Sequence, residues 1–404
     1  MTTHTDRIVL HVSGADRPGV TSRLTEIIAE ESATLVNIGQ SAMHGYLMLS
    51  TIIDIPPDSH ALRRILVAVS ELGLRLEVSP LRDVAAASTE ARGPAICVTV
   101  LGALGNGHAV AAITRFIASR EMNILDIRTL SEDELNGLEL IADLAPGRAY
   151  TEGQLAALRG EILALGAELE ADIAVQRDDI FRRSKRLVCM DVDSTFVQAE
   201  LIDELAALAG CKEQVAKITE RAMRGELDFK QALAQRVALL KGLPMESAEK
   251  RASEVAMTPG AQNFARVLKS LGFRVGLVSG GFDFFVDELK TRFGLDFAFA
   301  NELEVVDGRL TGRVQGSIVD AERKGQIVKD MAKVYKCRLE QTVAIGDGAN
   351  DMLMLQTAGL GIAFRAKPKL QAVADMSLNY HERIDTLLFL MGFTARELRT
   401  LSLA

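Results

Sequence analysis

The polar and apolar positions of this chain change rhythm repeatedly, and each rhythm marks an element. Residues 7–13 alternate at period two, as a strand with one buried face does. Residues 18–31 space their apolar positions at the 3.6 period of a helix. Segments 33–43 and 46–55 read as strands, 59–73 as a helix and 74–81 as a final strand.

That order returns. Ile8-Val-Leu-His-Val-Ser-Gly14 is echoed 88 residues later by Ile96-Cys-Val-Thr-Val-Leu-Gly102. Thr25-Glu-Ile-Ile-Ala29 is echoed 89 residues later by Thr114-Arg-Phe-Ile-Ala118. The one-residue discrepancy falls in the loop after the first strand, where insertions are tolerated. A βαββαβ unit of this size predicts an antiparallel four-stranded sheet with two helices on one face, the α+β ferredoxin-like arrangement. The copies are expected at 1–86 and 93–176, with the small-residue stretch Asp83–Gly93 between them.

A charged segment, residues 176–185, leads to a third region at 184–404 with a different pattern. Short apolar strands alternate there with helices, which predicts an α/β region with a Rossmann-like parallel sheet. Leu187-Val-Cys-Met190 runs into Asp191 and Asp193, Val275-Gly-Leu-Val278 into Ser279-Gly-Gly281, and Thr342-Val-Ala-Ile345 into Gly346-Asp-Gly348. Ligands of such sheets sit beyond the carboxyl ends of the strands, so these three termini are expected to converge. Residues 199–256 carry helical patterns without a clear strand and read as an inserted helical cap.

Composition narrows the classes. The 404 residues are 48% apolar and 25% charged, ordinary globular usage. A net charge of −8 argues against nucleic-acid binding by bulk electrostatics. No apolar run reaches the ~18 residues of a membrane span, and the N-terminal segment reads as a strand rather than a secretory signal. The four cysteines are scattered without C-x-x-C spacing, as expected of a cytoplasmic chain.

The convergent termini lack a P-loop, and Leu277 stands where a G-x-S-x-G nucleophile elbow needs glycine. Beyond His108 the only histidine is His381. Carboxylates, one hydroxyl, glycines and lysines remain, a set suited to phosphoryl transfer with a hard cation. Asp191 and Asp193, two apart, allow one carboxylate to attack phosphorus while the other handles a proton. Asp347, Asn350 and Asp351 add oxygen ligands at a glycine-lined turn. Ser279 and the Gly280 amide can donate to phosphate oxygens, and Lys324, expected just before a helix, can neutralise them.

In order, Asp191-Val-Asp-Ser-Thr195, Ser279-Gly-Gly281, Lys324 and Gly346-Asp-Gly-Ala-Asn-Asp351 resemble the four motifs of the haloacid dehalogenase superfamily. Glu200, Met223-Arg-Gly-Glu-Leu-Asp-Phe229 and Arg236 narrow the likeness to its phosphoserine phosphatases, over residues 186–378. Val192 stands where Phe or Met is frequent and should face the core. The resemblance implies Asp191 as nucleophile and Asp193 as general acid and base. It implies Mg²⁺ on Asp191, the Asp193 carbonyl and Asp347, with Asn350 and Asp351 in support and Asn350 also near the substrate. Glu200 would meet the substrate ammonium and Arg236 its carboxylate, while Met223 and Phe229 close over it. Helical spacing independently puts Arg236 on the apolar face of a helix at about 228–240, where a guanidinium needs a carboxylate partner. Simpler readings coexist: Asp351 as a helix cap, Lys324 as a solvated side chain, Glu200 paired with Arg236, and Met223 and Phe229 as core.

Gly14-Ala-Asp-Arg-Pro-Gly-Val20 resembles the amino-acid-binding loop of ACT regulatory domains. Asp16 and Gly19, with Asn37 on the next strand, would form an effector site for an amino acid, L-serine first. The second copy has Gly102-Ala-Leu-Gly-Asn-Gly-His108 and lacks Asp-Arg-Pro-Gly, which leaves ligand binding or a purely structural role open. Open sheet edges predict pairing into a homodimer. The expected enzyme releases L-serine from phosphoserine. A phosphatase for another small ester or for phosphoprotein, a sensor of serine, and a phosphomutase are the competing readings.

Overall fold

Strands Asp6–Ala15 (β1), Thr34–Met43 (β2), Tyr46–Ile55 (β3) and Arg75–Pro80 (β4) pair antiparallel in the order β2-β3-β1-β4. Helices Val20–Glu30 (α1) and Ala61–Glu71 (α2) supply the core of this sheet. The period-two and 3.6 patterns explain the packing: Ile8, Leu10 and Val12 face inward to meet Val20, Leu24, Ile27 and Ile28. This is a computed structural model, and it describes residues 6–81, 94–102, 104–131, 136–143 and 151–402. The expected linker Asp83–Gly93 and Ala103 of the second loop lie outside the described residues. The chain divides into two compact units, Met1–Ala91 and Arg92–Ala404.

The second unit begins with the repeat of the first. Ala95–Leu101 (β5), Asn123–Thr129 (β6), Gly137–Asp143 (β7) and Asp172–Arg177 (β8) pair in the order β6-β7-β5-β8. Helices His108–Ala118 (α3) and Glu152–Leu169 (α4) pack on them. The likeness extends to the backbone. Gly19 caps α1 at φ +92° and Gly107 caps α3 at φ +75°, left-handed values that exclude most side chains. The corresponding edge strands β2 and β6 also carry matching bulges, at Leu35/Asn37 and at Ile124/Asp126.

A seven-stranded sheet follows. Its strands are Leu187–Met190 (β9), Arg274–Phe282 (β10), Phe297–Val306 (β11), Arg309–Gln315 (β12), Thr342–Gly346 (β13), Gly361–Phe364 (β14) and Met376–Leu378 (β15). The order is β12-β11-β10-β9-β13-β14-β15, parallel except for the β11–β12 hairpin. That hairpin has no counterpart in the sequence expectation, which traced only the βα alternation. The parallel strands are buried on both faces, so their sequences read as continuous apolar runs. The interruption at 199–256 is helical as expected: Leu201–Leu208 (α5), Lys212–Met223 (α6), Phe229–Ala238 (α7) and Met245–Ser253 (α8).

The second repeat and the seven-stranded sheet share buried polar contacts. Asp172 accepts hydrogen bonds from the amides of Asn379 (2.5 Å) and Tyr380 (3.1 Å) and pairs with His381 Nδ1 (2.7 Å). Gln176 Nε2 donates to the Leu390 carbonyl at 2.9 Å. Glu139 pairs with the buried Arg182 and, at 3.0 Å, with Arg183. His381, the lone late histidine, thus holds this seam.

Candidate active site

The three polar strand ends meet. β9 stops at Met190, and the Asp191 amide still donates to the Ile345 carbonyl of β13 at 2.9 Å. The chain then turns tightly, with the amides of Thr195, Phe196 and Val197 all directed at the Val192 carbonyl. Val192 is buried, as expected. Ser194 takes φ +58°, a strained value for a residue with a side chain.

That turn aims the two carboxylates differently. Asp191 Oδ1 accepts from Lys324 Nζ at 2.7 Å. Asp193 Oδ1 accepts from the Leu201 amide at 2.8 Å, and its Oδ2 from Ser279 Oγ at 3.2 Å. The Gly281 amide donates to Ser279 Oγ at 2.8 Å. A Cβ at Gly281 would come within 2.8 Å of Asp193 Oδ2, so only glycine fits.

Lys324 is completely buried in the first turn of helix Ala321–Val334 (α9), inside the helix rather than before it. It is therefore not a solvated side chain. Its ammonium lies 2.7 Å from Asp191 Oδ1 and 2.6 Å from Asp351 Oδ1. Burial opposes the charge, but these two carboxylates outweigh it and raise the lysine above its ordinary value. Asp351 also accepts from the Gly348 amide at 3.0 Å, so both its oxygens are engaged and its role is more than a cap.

Asp191, Asp347 and Asp351 each place a carboxylate oxygen within 4.8 Å of the others. Burial, then the charge of Asp351, pushes Asp191 well above the usual carboxylate range and Asp347 up to about 6. Such a crowded set of hard oxygens fits a hard divalent cation. Asp191 and Asp347 face the cavity with oxygen to spare, whereas Asp351 stands behind, holding Lys324.

These acids form the floor of a cavity of about 780 Å³ roofed by the cap. Glu200, Met223, Phe229 and Arg236 line it together with Asp193, Gly280 and Asn350, and the Phe229 ring reaches Gly280, where a Cβ would meet it at 3.1 Å. Ser279, Lys324 and Asp351 are buried behind the wall. Met223 is 69% exposed, which excludes a core role. Glu200 accepts from Ser194 Oγ at 3.1 Å, and burial and then Asp193 push it up to about 7. Arg236 donates to its own helix at the Ala232 carbonyl, 3.4 Å away, and forms no ion pair with Glu200. Burial lowers the Arg236 guanidinium from its ordinary value, leaving it in want of a carboxylate.

Residues 188–356 match the family model of haloacid dehalogenase-like hydrolases, and residues 6–79 and 95–176 match ACT domain models. The chain is 43% identical to phosphoserine phosphatase SerB2 of Mycobacterium tuberculosis, covering 97% of this chain and 94% of that one. It is 42% identical to a phosphoserine phosphatase of Streptomyces coelicolor, covering 96% and 93%. The chain belongs to the phosphoserine phosphatase family. Among solved structures, a haloacid dehalogenase family hydrolase of Salmonella enterica serovar Typhi matches with TM-score 0.62 and 30% identity, over 74% of this chain and 98% of its own. A probable phosphoserine phosphatase of Vibrio cholerae gives 0.57 and 32%, over 77% and 89%.

For this phosphoserine phosphatase, sequence reasoning passed over several residues at the site. Asn301, fully buried in β11, donates to the carbonyls of Gly280 (2.8 Å) and Gly281 (3.2 Å) and accepts from the Val319 amide (2.8 Å). An asparagine inside the apolar run Phe297-Ala-Phe-Ala-Asn301 was its only signal. Thr195 Oγ1 donates to Asp347 Oδ1 at 3.1 Å, and Thr258 donates to the Thr195 carbonyl at 2.7 Å. Lys367 and Lys369 also line the cavity.

The expected effector residues are less concentrated. The Asp16 amide donates to the Gly45 carbonyl at 2.8 Å, at the corner between β2 and β3. Asn37 pairs with Ile52 at the β2 bulge, and its Oδ1 accepts from the Ile38 amide. About 20 Å of strand separates Asn37 from that corner, at ~3.4 Å per residue. One chain therefore does not bring Asn37 to Asp16.

Proposed function

We propose that the enzyme hydrolyses O-phospho-L-serine to L-serine and phosphate through a phosphoryl-aspartate on Asp191, as the last step of serine biosynthesis in the cytoplasm. The carrying observation is a cavity lined by two unlike sets of groups. Asp191, Asp193 and Asp347 crowd carboxylates at the strand termini, and Glu200 and the cap residue Arg236 add a carboxylate and an unpaired guanidinium to the same lining. A free amino acid presents the complementary ammonium and carboxylate. A phosphoserine within a polypeptide presents neither, which disfavours phosphoprotein.

An oxygen of Asp191 attacks phosphorus in line, and the seryl oxygen leaves carrying a proton from Asp193. Water then attacks the phosphoryl-aspartate, giving its proton to Asp193, and phosphate leaves with Asp191 restored. Lys324 supports the anionic form of Asp191 throughout, and Ser279 with the Leu201 amide orients Asp193. Mg²⁺ held by Asp191, Asp347 and the Asp193 carbonyl would neutralise phosphoryl oxygens, with Asp351 and Asn350 supporting the turn. Met223 and Phe229 would exclude water from the amino-acid end.

The regulatory reading is that L-serine binds the first ACT copy near Asp16 and Gly19 and feeds back on turnover. Asn37 would join that site from a second chain in a homodimer. The exposed Val36, Met43, Tyr46 and Met48 support such pairing.

A panel of phosphate esters, assayed for phosphate release with Mg²⁺ and with chelator, tests the reading. Phosphoserine should exceed phosphoethanolamine and phosphopeptide, chelator should stop release, and Asp191→Asn should lower turnover by at least ~10³-fold while remaining folded. Near-normal activity in folded Asp191→Asn would overturn the mechanism. Because burial pushes Glu200 up to about 7 and it must be ionised to hold an ammonium, KM for phosphoserine should rise as pH falls below about 7. Glu200→Gln should have a high KM without that rise.

A further inference from the structure

The cavity wall carries five carboxylates, Asp191, Asp193, Glu200, Asp203 and Asp347, against three cations among its described residues. Phosphoserine carries a net charge of about −2 at neutral pH, most of it on the phosphoryl group. Its natural counter-charge, Lys324, is wholly buried and already bonded to two carboxylates. Arg236 belongs to the cap end. The cations left on the open wall at the strand end are Lys367 and Lys369.

Their placement follows from the fold. β14 ends at Phe364, and Ala366 is buried, which anchors the following turn. The Lys367 amide donates to the Asp347 carbonyl at 3.4 Å, tying its backbone to the residue beside the expected cation position. Pro368 then starts a short helical turn that carries Lys369. Both side chains are exposed at the cavity edge, and neither forms an ion pair among the described residues. The charge on Lys367 also opposes the upward push on Asp347.

We infer that Lys367 and Lys369 are specificity-determining residues that attract and hold the phosphoryl group at the cavity mouth, for substrate entering and phosphate leaving. The pair acts on the phosphate and is indifferent to the amino-acid half, the division of labour opposite to that of Arg236. This rests on the phosphatase reading above. Because both ammonium groups are exposed, the effect is moderate and screened by salt.

The test is the variant Lys367→Ala/Lys369→Ala in the full chain with Mg²⁺. At low ionic strength, KM for phosphoserine, KM for phosphoethanolamine and Ki for inorganic phosphate should each rise about five- to tenfold, with kcat within twofold. The differences should shrink toward twofold near 0.5 M salt, and Lys367→Arg should behave as wild type. An unchanged KM and Ki at low salt overturns the inference. So does a fall in kcat at constant KM, which would make Lys367 a support of Asp347. A loss confined to phosphoserine overturns it too, since the amino-acid half would then be what is read. If wild type releases no phosphate from phosphoserine, the phosphatase reading fails on its own. Calorimetric titration with inorganic phosphate then decides the lysines' role without turnover, by a weaker affinity in the variant or none.

Discussion

The two ACT copies have one topology and two surroundings. In the first, β1 alternates: Ile8, Leu10 and Val12 face the helices, while Arg7 and His11 are exposed and His11 bonds only to Ser50 across the sheet. In the second, β5 is buried along almost its whole length, and Cys97, Thr99 and Leu101 of its outer face are as dry as the helix-facing residues. Leu101, Leu130 and Ala174 belong to the same apolar cluster as Val188, Met190 and Phe264 of the seven-stranded sheet region. One topology thus carries a partly exposed outer face on β1 in the first copy and a buried one on β5 in the second, and what packs on that face makes the difference.

The largest effect should come from removing each copy in turn. A chain beginning at residue 92 should stay soluble, melt cooperatively and release phosphate. A chain beginning near residue 184 should aggregate or melt at much lower temperature, because it bares the apolar surface behind Leu101 and Ala174. Equal stability of the two, by circular dichroism and size exclusion, would break the comparison.

Next are the buried charges. Glu139→Ala leaves Arg182 buried with only Asp178 beside it, at 3.0 Å, and should cost ~3–5 kcal/mol in denaturant unfolding. The registered counterpart in the first copy is Ser50, which faces His11 as Glu139 faces Thr99. Ser50→Ala should change stability by no more than about 0.5 kcal/mol. Comparable losses at both positions would mean that the first copy's outer face is also covered.

The smallest effect separates regulation from folding. Gly19→Val and Gly107→Val both force a β-branched residue into left-handed backbone, at a cost of ~1–3 kcal/mol each. Nothing lies within 4 Å of a Cβ at either, so the cost is conformational. Inhibition by added L-serine should be lost in Gly19→Val and kept in Gly107→Val, measured at constant phosphoserine. An unchanged serine response in Gly19→Val removes that loop from the effector site.

Much of the site was legible before any coordinates, because phosphoryl chemistry demands carboxylates at strand ends and strand ends are visible as apolar runs that stop. Asp191, Asp193 and Asp347 fell out of that pattern, Lys324 came from its place at a helix start in the ordered motifs, and the spacing of α7 put Arg236 on the helix's apolar face. Asn301 did not, since an amide that anchors the Gly280–Gly281 turn acts from a strand with no motif of its own. The β11–β12 hairpin was passed over although the sequence signals it: Asp307-Gly308 joins the strands as a two-residue turn with φ +49° and +70°, and two strands follow each other without a helix between them.

Periodicity within each segment determined the elements, their faces, the internal repeat and the convergence of polar strand ends, because those depend on local backbone preference and on one apolar side per element. The tertiary structure alone decided which outer faces are dry. Ile8-Val-Leu-His-Val-Ser and Ile96-Cys-Val-Thr-Val-Leu carry nearly the same pattern, yet one sheet stays exposed and the other is buried. The difference lies in partners more than 200 residues away: Asp172 bonded to the chain at Asn379–His381 and Gln176 to Leu390. It decided likewise that Lys324, a charged residue at a helix start, would be sealed between Asp191 and Asp351, since burying an ammonium is favourable only where two distant carboxylates arrive together.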